Sequence, residues 1–205
     1  GGSSPDILSR RAIDQAREAG VIVIAAAGND ALDGNPINYP AAYAGVVSVG
    51  ATNPDGNRAN YSTYNDGVDV AAPGGFGTEA NATASGRVLS TFATINPDGS
   101  ISSSYTYMHG TSMAAPHVAG VASLMKGIYP DLTPNQFDTA IILGFATTDF
   151  GDPGKDQHFG YGLIDADKAL QTAEALTTGI DTDCRPLLLL TNSRINLRCP
   201  VYTAD

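Results

Sequence analysis

The chain has 205 residues, about one domain at roughly 100–200 residues per domain, and is long enough to bury a core without staples. Eleven Lys and Arg against 21 Asp and Glu give a net charge of −10, which repels phosphate backbones and anionic lipid and argues against nucleic-acid or membrane-surface binding. The longest apolar run, residues 21–28, falls far short of the roughly 20 residues that a membrane helix needs.

In chain order, Ser4-Pro5-Asp6 predicts a helix start, with Ser4 as N-cap and Pro5 at the first helical position. Ile7, Leu8, Ile13 and Ala16 continue at near-helical spacing until Gly20. Residues 21–26 form an apolar run of strand length, as expected for a strand buried on both faces, and 45–52 and 68–74 read the same way. Residues 87–95 and 100–108 flank Asn96-Pro97-Asp98-Gly99, a hairpin signal. Helices are expected over 112–129, over 134–145 with Thr133 as cap, and over 165–175. The fold class is therefore α/β: a parallel central sheet flanked by helices in three layers, followed by a linker and a small β appendage near the C-terminus.

The chemistry concentrates in His109-Gly110-Thr111-Ser112-Met113-Ala114-Ala115-Pro116-His117. Here a Ser leaves a strand through a Gly and enters the first turn of a long helix, whose free N–H groups and positive end stabilise an alkoxide or oxyanion. Ala114 and Ala115 allow close approach, and Pro116 is expected in the first turn. On its own, Ser112 could equally be an N-cap. Asn29 follows a buried strand and a Gly, where open α/β sheets place ligands; an amide there donates to developing charge without acting as a base. The alternative is a turn-forming Asn before Asp30.

GTSMAAPHVAG (residues 110–120) resembles the nucleophile motif of the subtilisin-like serine proteases. Ala25-Ala26-Ala27-Gly28-Asn29 resembles the family segment that carries the oxyanion-hole asparagine. Asn38-Tyr39-Pro40-Ala41 resembles the bottom and side of its S1 pocket, and Gly1-Gly2 the end of the Ser-x-Gly-Gly segment that forms the S1 wall. Residues 45–51, 68–74 and 160–166 match in the same order, so the resemblance covers residues 1–176, with 177–205 as a separate extension. It implies a subtilisin-like fold and Ser112 as nucleophile. Ser112 N–H and Asn29 then form the oxyanion hole, with Gly1, Gly2, Ala25, Ala26, Ala27, Gly28, Asn38 and Thr111 binding substrate. The partners implied are a peptide or protein substrate and an N-terminal segment of the same protease carrying the catalytic Asp and His. In this family both lie upstream of the Ser-x-Gly-Gly segment, and this chain opens at Gly1-Gly2 without a Met or signal stretch, as the middle of a longer protein does.

None of the three His reads as the base. His109 precedes the nucleophile by three residues, His117 is rotated 500° round the helix from Ser112, and His158 lies in a Gly/Asp-rich loop. The rival readings are a truncated, non-catalytic peptide-binding domain of the same family and an α/β-hydrolase esterase. The esterase elbow needs Gly at position 114, which is Ala.

The resemblance implies no cofactor for the chemistry, and a structural calcium or monovalent cation held by Asp69 with the carbonyls of Ala41, Tyr43 and Val46. Gly67 replaces the usual second acid, with Asp66 beside it; a solvated Asp69 is the alternative. Asp149, Asp152 and Asp156 form a loop better read as solvated than as a calcium site. Asn60-Tyr61-Ser62 and Asn81-Ala82-Thr83 fit the glycosylation pattern, which is short enough to occur by chance. Cys184 and Cys199 are expected to form a disulfide closing the appendage, with two free thiols as the alternative; few Lys and many Ser, Thr, Asn and Gly favour a secreted, oxidising setting.

Overall fold

The computed structural model describes residues 1–77 and 84–178. The Cys184–Cys199 pairing, the β appendage and the Asn81 sequon lie outside the described residues.

The first helix, α1 (Ile7–Glu18), is capped by Asp6, whose carboxylate accepts from Ser9 N–H at 2.7 Å. The expected cap at Ser4 is therefore displaced by two residues: an acid directly before the first turn outcompetes the Ser-Pro pair. Strand β1 (Ile24–Ala26) is shorter than the apolar run and only half-buried. It pairs with β2 (Val47–Thr52) and with no other strand among the described residues, so it is an edge here and not the doubly buried strand its composition suggests. In contrast, β2 is buried along its whole length.

Strand β3 (Val70–Pro73) follows, then the hairpin strands β4 (Val88–Ile95) and β5 (Ile101–Met108). The hairpin forms as expected, in uninterrupted antiparallel register from Val88↔Met108 to Ile95↔Ile101, with Gly99 at φ 82° in the turn. Helix α2 (Thr111–Ile128) begins one residue before the expected start, with Gly110 as N-cap. Pro116 is therefore its sixth residue, beyond the first turn, and the N–H it lacks would have bonded to the Ser112 carbonyl. Helix α3 (Pro134–Ile142) has the Thr133 cap, completed as a capping box by Gln136.

Two short strands, β6 (Thr147–Thr148) and β7 (Leu163–Ile164), carry too little pattern to be read from sequence. Helix α4 (Ala166–Thr177) closes the described chain, with Asp165 as its cap. The sheet order is β1-β2-β3-β7-β6, parallel through β7 and antiparallel between β7 and β6. This is the α/β class expected. Helix α2 packs across β1, β2 and β3 and against α4, burying Ala114, Val118 and Met125 over Val49, Val70 and Ala72. The face of α2 opposite Ser112 is thus fixed to the sheet, and burial of this kind anchors the N-terminal end of the helix. No helix among the described residues is long and apolar enough to cross a membrane.

Candidate active site

Ser112 is the second residue of α2 and is exposed, while its neighbour Thr111 is buried. The chain reaches it through Gly110, which has φ 141°. Gly110 is held from β3: its N–H donates to the Gly74 carbonyl at 3.0 Å and to the Tyr61 hydroxyl at 3.1 Å. The first-turn N–H groups of a helix have no intrahelical acceptor. Thr111 N–H donates to Asn29 Oδ1 at 2.9 Å and Met113 N–H to the Gly110 carbonyl at 2.9 Å. Ser112 N–H has no hydrogen-bond acceptor among the described residues.

Asn29 lies three residues beyond β1. Its Oδ1 also accepts from the Thr111 hydroxyl at 2.9 Å, and that hydroxyl in turn accepts from Gly28 N–H at 3.3 Å. Two donors on the carbonyl end fix which way the amide faces, so Asn29 Nδ2 points away from Thr111. A Cβ on Gly110 would stand 3.3 Å from Asn29 Nδ2 and 3.7 Å from Ser112 N. The two donors therefore border one small space, which Gly110 keeps open by having no side chain. Two N–H donors bordering one space at a helix N-terminus are the kind of arrangement that can hold an oxyanion.

The pocket segments also come together. Gly2 and Tyr39 exchange both backbone hydrogen bonds, at 3.0 and 2.8 Å, which ties Gly1-Gly2 alongside the Asn38-Tyr39 segment; the Tyr39–Pro40 peptide is cis. Ala25 and Ala26 are in β1, and Ala27 N–H extends the pairing to the Val49 carbonyl at 2.9 Å. Asn38 Nδ2 donates to the Ala27 carbonyl at 3.2 Å and to Asp30 Oδ2 at 2.8 Å. Asp30, which is not among the expected pocket residues, is drawn to Asn38 by this bond. Its carboxylate lies 3.0 Å from where a Cβ on Gly28 would stand. The signal was the residue next to Asn29, obscured because Asp in a turn is common.

The three histidines are each held elsewhere. His109 stacks on Tyr61, with ring centroids 5.2 Å apart. His117 Nδ1 meets the Met113 carbonyl at 2.8 Å, and His158 packs edge-on against Tyr64 at 5.1 Å. None hydrogen-bonds Ser112, so no base for the nucleophile is found among the described residues.

At the expected cation position, Asp69 Oδ2 accepts from Ser48 N–H at 3.0 Å, and Lys155 Nζ lies 3.5 Å from Asp69 Oδ1. The Tyr43 carbonyl already accepts from Val46 N–H at 3.0 Å, and Asp66 accepts from Gln157 Nε2 at 2.9 Å. A donor set facing an ammonium does not fit a resident cation. The acids of the 149–156 loop serve as turn acceptors: Asp149 takes Gly154 N–H, and Asp156 takes the N–H groups of Asp152, His158 and Phe159.

Comparison with known proteins identifies the family of the chain. The Subtilase family model matches residues 1–162. The chain is 36% identical over 172 residues to the thermostable alkaline protease of Halalkalibacterium halodurans, covering 83% of this chain and 40% of that protein. It is likewise 36% identical over 173 residues to subtilisin DY of Bacillus licheniformis, covering 83% and 54%. Among solved structures, a protease from Pseudoalteromonas arctica superposes with a TM-score of 0.68 at 42% identity, covering 84% of this chain and 49% of that one. The chain thus spans about half the length of the relatives it matches.

Proposed function

The chain belongs to the subtilase family, and from that premise we propose that it carries the nucleophile half of a secreted serine endopeptidase. The observation that carries this reading is that Asn29 Nδ2 and Ser112 N lie 3.3 and 3.7 Å from the position a Cβ on Gly110 would take.

Ser112 attacks the scissile carbonyl of a peptide and forms an acyl-enzyme that water then hydrolyses. The carbonyl oxygen, as it gains charge, enters the space between the two donors. The base that takes the Ser112 proton, and the Asp that orients it, come from the N-terminal segment of the same protease, because the three histidines here are engaged elsewhere. The half-buried edge of β1 and the exposed apolar Ile7 and Leu8 of α1 are the surface this segment covers. Gly1, Gly2, Ala25, Ala26, Ala27, Gly28, Asn38 and Thr111 line the substrate site. The preference proposed for P1 is Phe, Tyr, Leu or Met.

The test is hydrolysis of a peptide substrate by the 205-residue chain, alone and after addition of the family's N-terminal segment. We expect negligible cleavage alone and Ser112-dependent cleavage in the complex. Robust amide hydrolysis by the chain alone, blocked by a serine-directed inhibitor, would overturn the division of the triad. Tight peptide binding without cleavage in the complex would favour a non-catalytic binding domain.

A further inference from the structure

The two acids at the expected cation position, Asp69 and Asp66, are both engaged by the 155–161 segment. Lys155 Nζ lies 3.5 Å from Asp69 Oδ1 and 4.9 Å from the centroid of the Tyr161 ring, so a carboxylate and an aromatic face share one ammonium. Two positions on, Gln157 Nε2 engages Asp66, the other nearby acid. Tyr161 N–H donates to the Asp69 carbonyl at 2.8 Å, and Gly160 bridges to Val70. The segment is thus bonded to Asp69 and to the start of β3 through backbone and side chain together. Gly67 stands in place of the usual second acid, Asp66 is taken by Gln157, and Asp138, which lines the same cavity, is paired with Arg17 at 2.7 Å, whereas a divalent ion needs six or more oxygens.

We infer that the Lys155 ammonium is the resident cation of this site: the protein neutralises Asp69 with its own side chain, so its stability does not depend on calcium, sodium or potassium there. The charge arrives with a tether, which makes the 155–161 segment the clamp over the start of β3. A mobile ion could be stripped by a chelator, whereas a lysine cannot.

The experiment is thermal unfolding of the full chain by circular dichroism in EDTA, in calcium chloride and in potassium chloride. It compares the parent with Lys155→Gln, Asp69→Asn and the double variant. We expect the parent to have the same midpoint in all three solutions, apart from any salt shift it shares with Asp69→Asn. Lys155→Gln should lower the midpoint in EDTA by about 1–3 °C, because both partners are about one-third exposed and water screens the pair. That loss should vanish when Asp69 is already Asn. Terbium, used as the calcium probe with Tyr161 as sensitiser, should show Asp69-dependent emission in Lys155→Gln and none in the parent. The inference is overturned by a calcium- or potassium-specific rise in the parent that Asp69→Asn abolishes, by Asp69-dependent terbium emission from the parent, or by an equal Lys155→Gln loss in both backgrounds. None of these readouts depends on proteolysis.

Discussion

Replacing Thr111 by Val keeps the size and branching of a buried side chain and removes only the hydroxyl that donates to Asn29 Oδ1 at 2.9 Å. Thr111 N–H still holds the same oxygen at 2.9 Å, so the amide is loosened and not released. A single net hydrogen bond contributes about 0.5–1.5 kcal/mol, against about 2.7–4 kcal/mol for removing an oxyanion donor outright, a figure obtained on a subtilisin and so within this family. The expected fall in kcat is therefore roughly 3- to 10-fold, with KM changed less than about twofold, because the amide is needed most when the oxygen carries charge. Gly28 N–H also loses its acceptor, which lowers Tm by a few degrees. The assay is steady-state hydrolysis of a peptide anilide by the complete protease, run as a double-mutant cycle with Asn29→Ala. Once Asn29 is gone, the Thr111 hydroxyl has nothing to orient, so Thr111→Val should have no further effect on kcat. An unchanged kcat in the single variant, or the same factor in the Asn29→Ala background, refutes the positioning argument.

Gly110→Ala should lower kcat/KM of the complete protease by about 100- to 1,000-fold and lower its Tm as well, since the new methyl fills the space beside the two donors at a position whose φ of 141° strains any L side chain. A loss below tenfold in the folded variant would mean that the space is not the oxyanion site. P1 profiling should find Phe, Tyr, Leu and Met accepted, and Lys tolerated through Asp30. Asp30→Asn should cut P1 Lys cleavage by about 2- to 5-fold relative to Phe, and equal effects on both would place Asp30 in the support of Asn38 alone. The Thr148 hydroxyl, and then Lys168 N–H, hold the Asp165 carboxyl below the usual carboxylate range. A depressed carboxyl stabilises the fold above its unfolded pKa and loses that contribution as pH falls through the folded value. Asp165→Ala should therefore lower Tm by about 2–4 °C at neutral pH, and by progressively less as pH falls below about 4. A constant deficit down to pH 2 would contradict the charge argument.

The sequence reveals most where a local rule and a buried pattern agree. The hairpin turn, the Thr133 capping box and the all-buried β2 all follow from residue type and spacing. It misleads at the open side of the sheet. Residues 21–26 are apolar enough for a doubly buried strand, yet β1 has a neighbour on one side only, and apolar composition alone does not say which neighbour is present. In the site, Ser112, Asn29 and Thr111 are legible because the motif is long. Asp30 and the open space at Gly110 are not: Asp30 enters through a loop that folds Asn38 back onto it, and the space arises where segments about 80 residues apart meet at one helix end. Lys155 escaped for the same reason. Nothing local links it to Asp69, 86 positions earlier.

The account rests on Ser112 being the nucleophile of a site completed by a second segment. The most direct measurement is reaction of the complete protease with a fluorophosphonate, followed by peptide mapping in the mass spectrometer. The account predicts one stoichiometric label on Ser112, loss of peptidase activity in step with labelling, and neither label nor activity in Ser112→Ala. A label on another serine, or full activity in Ser112→Ala, would contradict it.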